Sequence, residues 1–219
     1  MPVTIRPATP DDVPEILAFI RALAAYERAP DAVIATEADL LRDGFGPNPF
    51  YFCLIAELDG RPAGFALYFF DYSTWLGRPG LYLEDIFVHP QFRGLGIGKA
   101  LLECLAAIAV EKGCCRLKWE VLDWNTPAID LYRAMGAEFP SEWLNVCLGG
   151  DALLRLAGAA DRAASWRPHP VEIHGLPPFP PESAERMEHG PEDVPAFRDS
   201  SGDRAGEQQS PSPAVEAKS

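Results

Sequence analysis

The sequence predicts an α/β (α+β) fold: a mixed, twisted, mostly antiparallel sheet with helices on both faces, in the order β-α-α-β-β-β-α-β-α-β. Three observations carry this. Strand-like and helix-like apolar periodicities alternate through residues 1–165. One strand pattern, Leu81–Val88, runs through a Gly-rich turn into a long apolar helix. Composition then changes: from Trp166 on, 10 of the 54 residues are proline and large apolar residues are sparse. A segment of that kind buries too little surface to offset its ordering entropy. The reading is one domain over 1–165 and a Pro-rich acidic disordered tail over 166–219.

Val3–Arg6 reads as a short strand. Thr9-Pro10-Asp11-Asp12 is a helix start, with a capping Thr, a Pro in the first turn and acids at the positive end. Val13, Ile16, Leu17, Ile20, Leu23 and Ala24 follow at helical spacing. Thr36-x-x-Asp39 caps a second helix that Gly44 is expected to end. Tyr51–Leu58 and Ala63–Phe70 read as strands joined by Asp59-Gly60, a pair that favours positive φ. Leu81–Val88 is the central strand, Gly94–Lys112 the long helix and Arg116–Leu122 a further strand with alternating polarity. Thr126-Pro127 opens a short helix that stops at Gly136, and a last strand around Trp143–Leu148 completes the sheet.

Charge and cysteine content exclude several functions. The net charge is −13, with 14 basic against 22 acidic residues in the body and 5 against 10 in the tail. An acidic body argues against nucleic acid and is compatible with a cationic partner. No secretory leader pattern and no apolar run long enough to span a membrane is present, so the reading is a cytoplasmic protein. The five cysteines are unpatterned and read as core thiols in a reducing cytosol; with four histidines, no metal site is expected.

Gln91-Phe92-Arg93-Gly94-Leu95-Gly96-Ile97-Gly98-Lys99 is a candidate anion cradle. Glycines let backbone approach a ligand closely, and free N–H groups at the helix start point at an anion, aided by the helix dipole. Arg93 and Lys99 add charge. The turn is neither a Walker loop nor a good dinucleotide fingerprint, because the residues those patterns require downstream are missing. Beside it, Glu84 and Asp85 are adjacent on one strand. Strict alternation sends them to opposite faces, so only one can meet a substrate.

Four blocks, IRPAT (Ile5–Thr9), DGFGPNPFYFCLIAE (Asp43–Glu57), YLEDIFVHPQFRGLGIG (Tyr82–Gly98) and LDWNTPAIDLYRAMGA (Leu122–Ala137), span most of residues 3–148. They resemble the GNAT superfamily of N-acetyltransferases, and within it the spermidine/spermine (diamine) and thialysine acetyltransferase branch. STW-x-GR (Ser73–Arg78) and VLDWN (Val121–Asn125) are similar to the thialysine type. The resemblance implies the GNAT fold, acetyl-CoA as cosubstrate with no metal, and a homodimer. It implies a cofactor site of Ile86, Phe87, Val88, Arg93, Gly94, Leu95, Gly96, Ile97, Gly98, Lys99, Asn125, Ala128 and Tyr132. It places Tyr26, Glu27, Glu84, Trp119, Glu120 and Glu142 around the amine, and leaves Asp85 structural.

A protonated alkylamine, with a pKa of about 10.4, cannot attack a thioester. A carboxylate must bind it and help remove a proton. The resemblance gives that part to Glu84 and gives Tyr132 the part of acid toward the departing CoA thiolate. The expected activity is direct transfer of acetyl to a primary amine of a small polyamine, diamine or thialysine-like molecule. Two alternatives stay open: a protein lysine or N-terminal acetyltransferase, and a non-catalytic CoA-binding sensor.

Overall fold

A computed structural model of the chain describes residues 3–140 and 144–158. Val3–Pro7 (β1), Phe52–Leu58 (β2), Arg61–Ser73 (β3), Arg78–Val88 (β4) and Leu117–Lys118 (β5) form one sheet, ordered as in the chain. β1 to β4 are antiparallel; β5 runs parallel to β4 and pairs with it only at Leu81–Tyr82. The α-helices are Val13–Tyr26 (α1), Glu37–Phe45 (α2), Ile97–Glu111 (α3), Thr126–Ala134 (α4) and Gly150–Ala157 (α5).

Local chemistry fixes most boundaries. Thr9 and Asp12 cap each other reciprocally ahead of α1, and Thr36 and Asp39 do the same ahead of α2. Asp59 and Gly60 both take positive φ, 52° and 72°, which matches the right-handed twist of the β2–β3 hairpin. Side-chain alternation then sorts the sheet into two faces. Leu54, Ala56, Ala66, Tyr68, Leu81 and Leu83 pack with Ile97, Leu101, Leu102 and Leu105 of α3. Cys53, Ile55, Phe65, Leu67 and Phe87 pack with Ile16, Leu17 and Phe19 of α1 and Leu40 of α2. Burying one such aliphatic side chain stabilises the fold by about 1.5–3 kcal/mol.

The structure departs from expectation in four places. α3 begins at Ile97 rather than Gly94, because Gly94 and Gly96 sit at φ 75° and 80°, outside helical space. α2 runs through Gly44 to Phe45. The strand expected over Arg116–Leu122 pairs for two residues only. The final strand is not formed: Trp143 lies outside the described residues, and 144–148 have no regular structure. With β5 so short, there is no adjoining ladder for 144–148 to extend, and Leu144 and Val146 are each 87% exposed. α5 follows instead. The tail over 166–219 and Glu142 lie outside the described residues.

Candidate active site

The site starts from an irregularity in β4. Leu67 of β3 pairs with Asp85, but its neighbour Tyr68 pairs with Leu83, so Glu84 is an extra residue in a β-bulge. The bulge reverses side-chain parity. Before it, Leu81 and Leu83 join the α3 core; beyond it, Ile86 and Val88 pack there, while Phe87 joins the α1 core. Asp85 alternates with Ile86 and shares the α1 face with Phe87. The inserted residue absorbs the alternation, so the strict alternation expected at Glu84 and Asp85 does not hold there, and Asp85 is the more buried of the two.

Glu84 is exposed and Asp85 half-buried. Burial pushes the Asp85 carboxyl up to about 6, and the charges of Glu84 and Glu27 push the same way. Glu27, at the end of α1, is itself raised by burial. Among the described residues, Asp85 has no hydrogen bond or ion pair. A half-buried carboxylate whose charged neighbours are two more carboxylates calls for a cation to compensate it.

β4 also supplies an open backbone edge. The His89 N–H donates to the Ala63 carbonyl of β3 at 2.9 Å. Backbone directions alternate along a strand, so Val88 turns its N–H to the opposite edge, where β5 no longer follows. The Arg93 side chain reaches the same edge: its Nε donates to the Val88 carbonyl at 3.1 Å. Arg93 thus folds back over β4, with its guanidinium 4.7 Å from the Tyr26 ring centroid and 5.6 Å from that of Phe87.

The cradle lies between β4 and α3. At Gly94 and Gly96 an added Cβ would meet no atom within 4 Å, so glycine there serves the left-handed backbone and not packing. The first intrahelical bond is Ala100 N–H to the Gly96 carbonyl, at 3.0 Å. The N–H groups of Ile97, Gly98 and Lys99 precede it and have no acceptor within the helix. Ile97 offers only this N–H, since its side chain is buried in the α3 core. Leu95 is exposed, and the Lys99 ammonium is paired with Glu103 one turn on.

Tyr26 joins the parts. Its hydroxyl donates to Asn125 Oδ1 at 3.0 Å, and its ring lies 5.8 Å from Trp124. Asn125 stands at the start of α4 but makes no side-chain cap there, because its oxygen is held by Tyr26. α4 presents Ala128, half-buried, and Tyr132, which is buried and meets Trp119 edge-on at 5.1 Å between ring centroids. Burial first, and the nearby Tyr26 second, raise the Tyr132 phenol above its ordinary range, so it stays protonated at neutral pH. Trp119 is thus a packing partner of Tyr132. Glu120 is exposed, accepts from Asn145 Nδ2 at 3.0 and 3.1 Å, and acts on the Tyr82 phenol, which Glu84 also reaches electrostatically.

The sequence reading missed the bulge, the turn of Asp85 to the α1 face, and Arg28 and Trp124 beside Tyr26. One signal was present: Leu81-x-Leu83-x-x-Ile86-x-Val88 shifts its apolar parity at Glu84-Asp85. A groove between Pro10–Pro14 and Glu37–Leu41, of about 420 Å³, shares no residue with this site. Among the described residues, no set of three or more His, Cys, Asp and Glu is placed to hold a metal, and no helix is long and apolar enough to cross a membrane.

An anion cradle, an open strand edge, a buried phenol and a carboxylate cluster on one mixed sheet are the parts of an acyl-CoA-dependent acyltransferase. The chain belongs to the Acetyltransferase (GNAT) family, which matches residues 16–137. It is 46% identical over 167 residues to the thialysine N-epsilon-acetyltransferase of Bos taurus, a match covering 71% of this chain and 98% of that protein. It is 45% identical over 140 residues to the human spermidine/spermine N(1)-acetyltransferase-like protein 1, covering 61% of this chain and 20% of the relative. Among solved structures, an integron cassette protein from the mobile metagenome of V. cholerae superposes with a TM-score of 0.62 at 27% identity, over 72% of this chain and 98% of its own.

Proposed function

We propose that the protein transfers acetyl from acetyl-CoA to a primary amine of a small cationic acceptor, a diamine, polyamine or thialysine-like molecule. The observation that carries this is Asp85, half-buried beside Glu84 and Glu27 with no cation to balance it among the described residues. An alkylammonium supplies the missing charge. The names of the relatives, which specify thialysine and spermidine/spermine acetylation, support the same acceptor class.

In this reading the N–H groups that open α3 hold the pyrophosphate of acetyl-CoA. The Val88 N–H polarises the thioester carbonyl. Glu84 and Asp85 bind the ammonium, and Glu84 takes its proton. The freed amine attacks the thioester carbon; the carbon–sulfur bond breaks as the carbon–nitrogen bond forms. Tyr132 then gives its proton to the CoA sulfur, and the second proton, shed by the nitrogen as it becomes an amide, restores the phenol. Acetyl passes directly between the two bound molecules, without an acyl-enzyme. Cys53 is buried, and burial raises its thiol far above the range in which it would act as a nucleophile.

The same proposal makes the enzyme a cytoplasmic homodimer. All five cysteines are free thiols, as a reducing compartment maintains them. The exposed Leu144, Val146, Leu153, Leu154 and Leu156 are the apolar surface a second copy would cover.

The test is CoA release with a panel of amines, repeated with Tyr132→Phe. Turnover is expected to fall about 10²- to 10⁴-fold, with acetyl-CoA affinity little changed. Equal turnover in the variant removes Tyr132 from the acid's part. Retention of CoA with no amine acetylated favours a binding protein instead.

A further inference from the structure

Below the reacting carboxylates, β4 and β5 put a second group of charges on the same side of the sheet. Leu81 and Leu83 face the α3 core, so Tyr82 between them faces the other side, that of Asp85 and Phe87. Its ring stacks on Phe69 of β3 at 5.0 Å between centroids. Burial first, then the charges of Glu120, Glu84 and Asp71, push the Tyr82 phenol up to about 12. Arg116 pairs with Asp71 at 2.6 Å, which leaves Glu84 and Glu120 as the uncompensated charges around the ring. An aromatic face beside carboxylates is a place that holds an ammonium group.

The chain puts a cation of its own there. Lys118 is the β5 partner of Tyr82 in the parallel ladder, and its ammonium stands 5.5 Å from the Tyr82 ring centroid. Among the described residues Lys118 makes no ion pair. Its neighbour Leu117 turns into the α3 core, which leaves Lys118 exposed on the Tyr82 side. A second ammonium brought to the same ring meets the charge of the first. Tyr82 stands three residues before Asp85, about 10 Å along a strand.

We infer that Lys118 is a specificity-determining residue: its ammonium takes the place over Tyr82 that the far ammonium of a long acceptor would otherwise fill, and so limits what an acceptor gains by reaching down β4. This rests on the acetyltransferase reading above, with the reacting amine at Glu84 and Asp85. A straight-chain diamine then runs along β4 toward Tyr82. Octamethylenediamine spans that interval and putrescine falls short of it. In the wild type the longer molecule meets the Lys118 charge and gains nothing from its extra reach. With that charge removed, Tyr82 and Glu120 hold its far end.

The experiment follows CoA release by the full chain with straight-chain diamines from putrescine to octamethylenediamine. The wild type is expected to show no gain in kcat/KM with length. Lys118→Met keeps the aliphatic stem and removes the charge. It should raise the octamethylenediamine-to-putrescine ratio of kcat/KM roughly 3- to 30-fold, the range of one cation–π contact, through KM and not kcat. Lys118→Arg keeps the charge and should keep the wild-type ratio. Adding Tyr82→Leu to Lys118→Met should cancel the gain; a mere loss of positive charge would instead strengthen every diamine alike. A ratio of two substrates is independent of the fraction of enzyme folded, so a less stable double variant still reports. A wild type that favours the longer diamine, an unchanged ratio in Lys118→Met, an equal rise in Lys118→Arg, or a gain that survives Tyr82→Leu overturns the assignment. If the wild type acetylates no amine, the acetyltransferase reading fails. In that case, or if diamines alone are refused, calorimetric titration of the two diamines into the CoA-bound protein decides Lys118 by itself: octamethylenediamine bound more tightly by Lys118→Met than by the wild type supports it, and equal affinities overturn it.

Discussion

Asp85 couples stability to function. Its folded-state pKa, about 6, lies above the unfolded carboxyl value, so the folded protein binds more protons between about pH 4 and 6. Stability from this group is therefore lost as pH rises through that window. Asp85→Asn removes the charge, and its melting temperature is expected to exceed the wild type's at pH 8 and to approach it at pH 4. Differential scanning calorimetry at the two pH values checks this; a variant less stable than wild type at pH 8 would contradict it. Acetylation should fall in the same variant, the usual relation when a site holds uncompensated charge. Tyr26 shows a second kind of residue-level cost. Tyr26→Phe leaves Asn125 Oδ1 without its donor, and about 1 kcal/mol of stability should go with it, measured by chemical denaturation.

The central device among the elements is the β3–β4 pair. Gly64 lies opposite Val88, and an added Cβ there would stand 2.5 Å from the Phe87 carbonyl oxygen and 3.2 Å from Val88 Cα. Backbone cannot yield as a side chain does, so Gly64→Ala must push β4 outward. A loss of about 1–3 kcal/mol is expected, as for overpacking. Turnover should fall further than stability, because the Val88 N–H moves with the strand. Equal effects on turnover and on the folded fraction would argue against a catalytic part for that edge. Here lies the division between what sequence pattern reveals and what it hides. The two capping boxes, the Asp59-Gly60 turn and the α1 and α3 stripes were legible because each is decided within a few residues. β5 and the strand expected around Trp143–Leu148 depend on ladder partners remote in sequence, and their own alternation could not report whether those partners were in place. The parts proposed for Tyr132 and the cradle come from resemblance; the direction of Arg93, bent back onto Val88, is a tertiary choice among rings that no local pattern encodes.

Across the whole molecule the net charge of −13 sets how an acceptor arrives. A cationic amine is drawn toward the acidic body, and salt weakens the attraction as the screening length shortens to about 10 Å at 0.1 M. The KM for a diamine should therefore rise with ionic strength while kcat stays level; a KM indifferent to salt would leave the charge to solubility alone. The tryptophans of the described residues differ in setting: Trp75, on the hairpin between β3 and β4, is 88% exposed, Trp119 meets Tyr132, and Trp124 lies between Arg28 and Tyr26. Indole emission follows its surroundings, so the molecule carries its own optical gauge. A change at Tyr132 would be seen through Trp119 and one at Tyr26 through Trp124, against the steady emission of exposed Trp75.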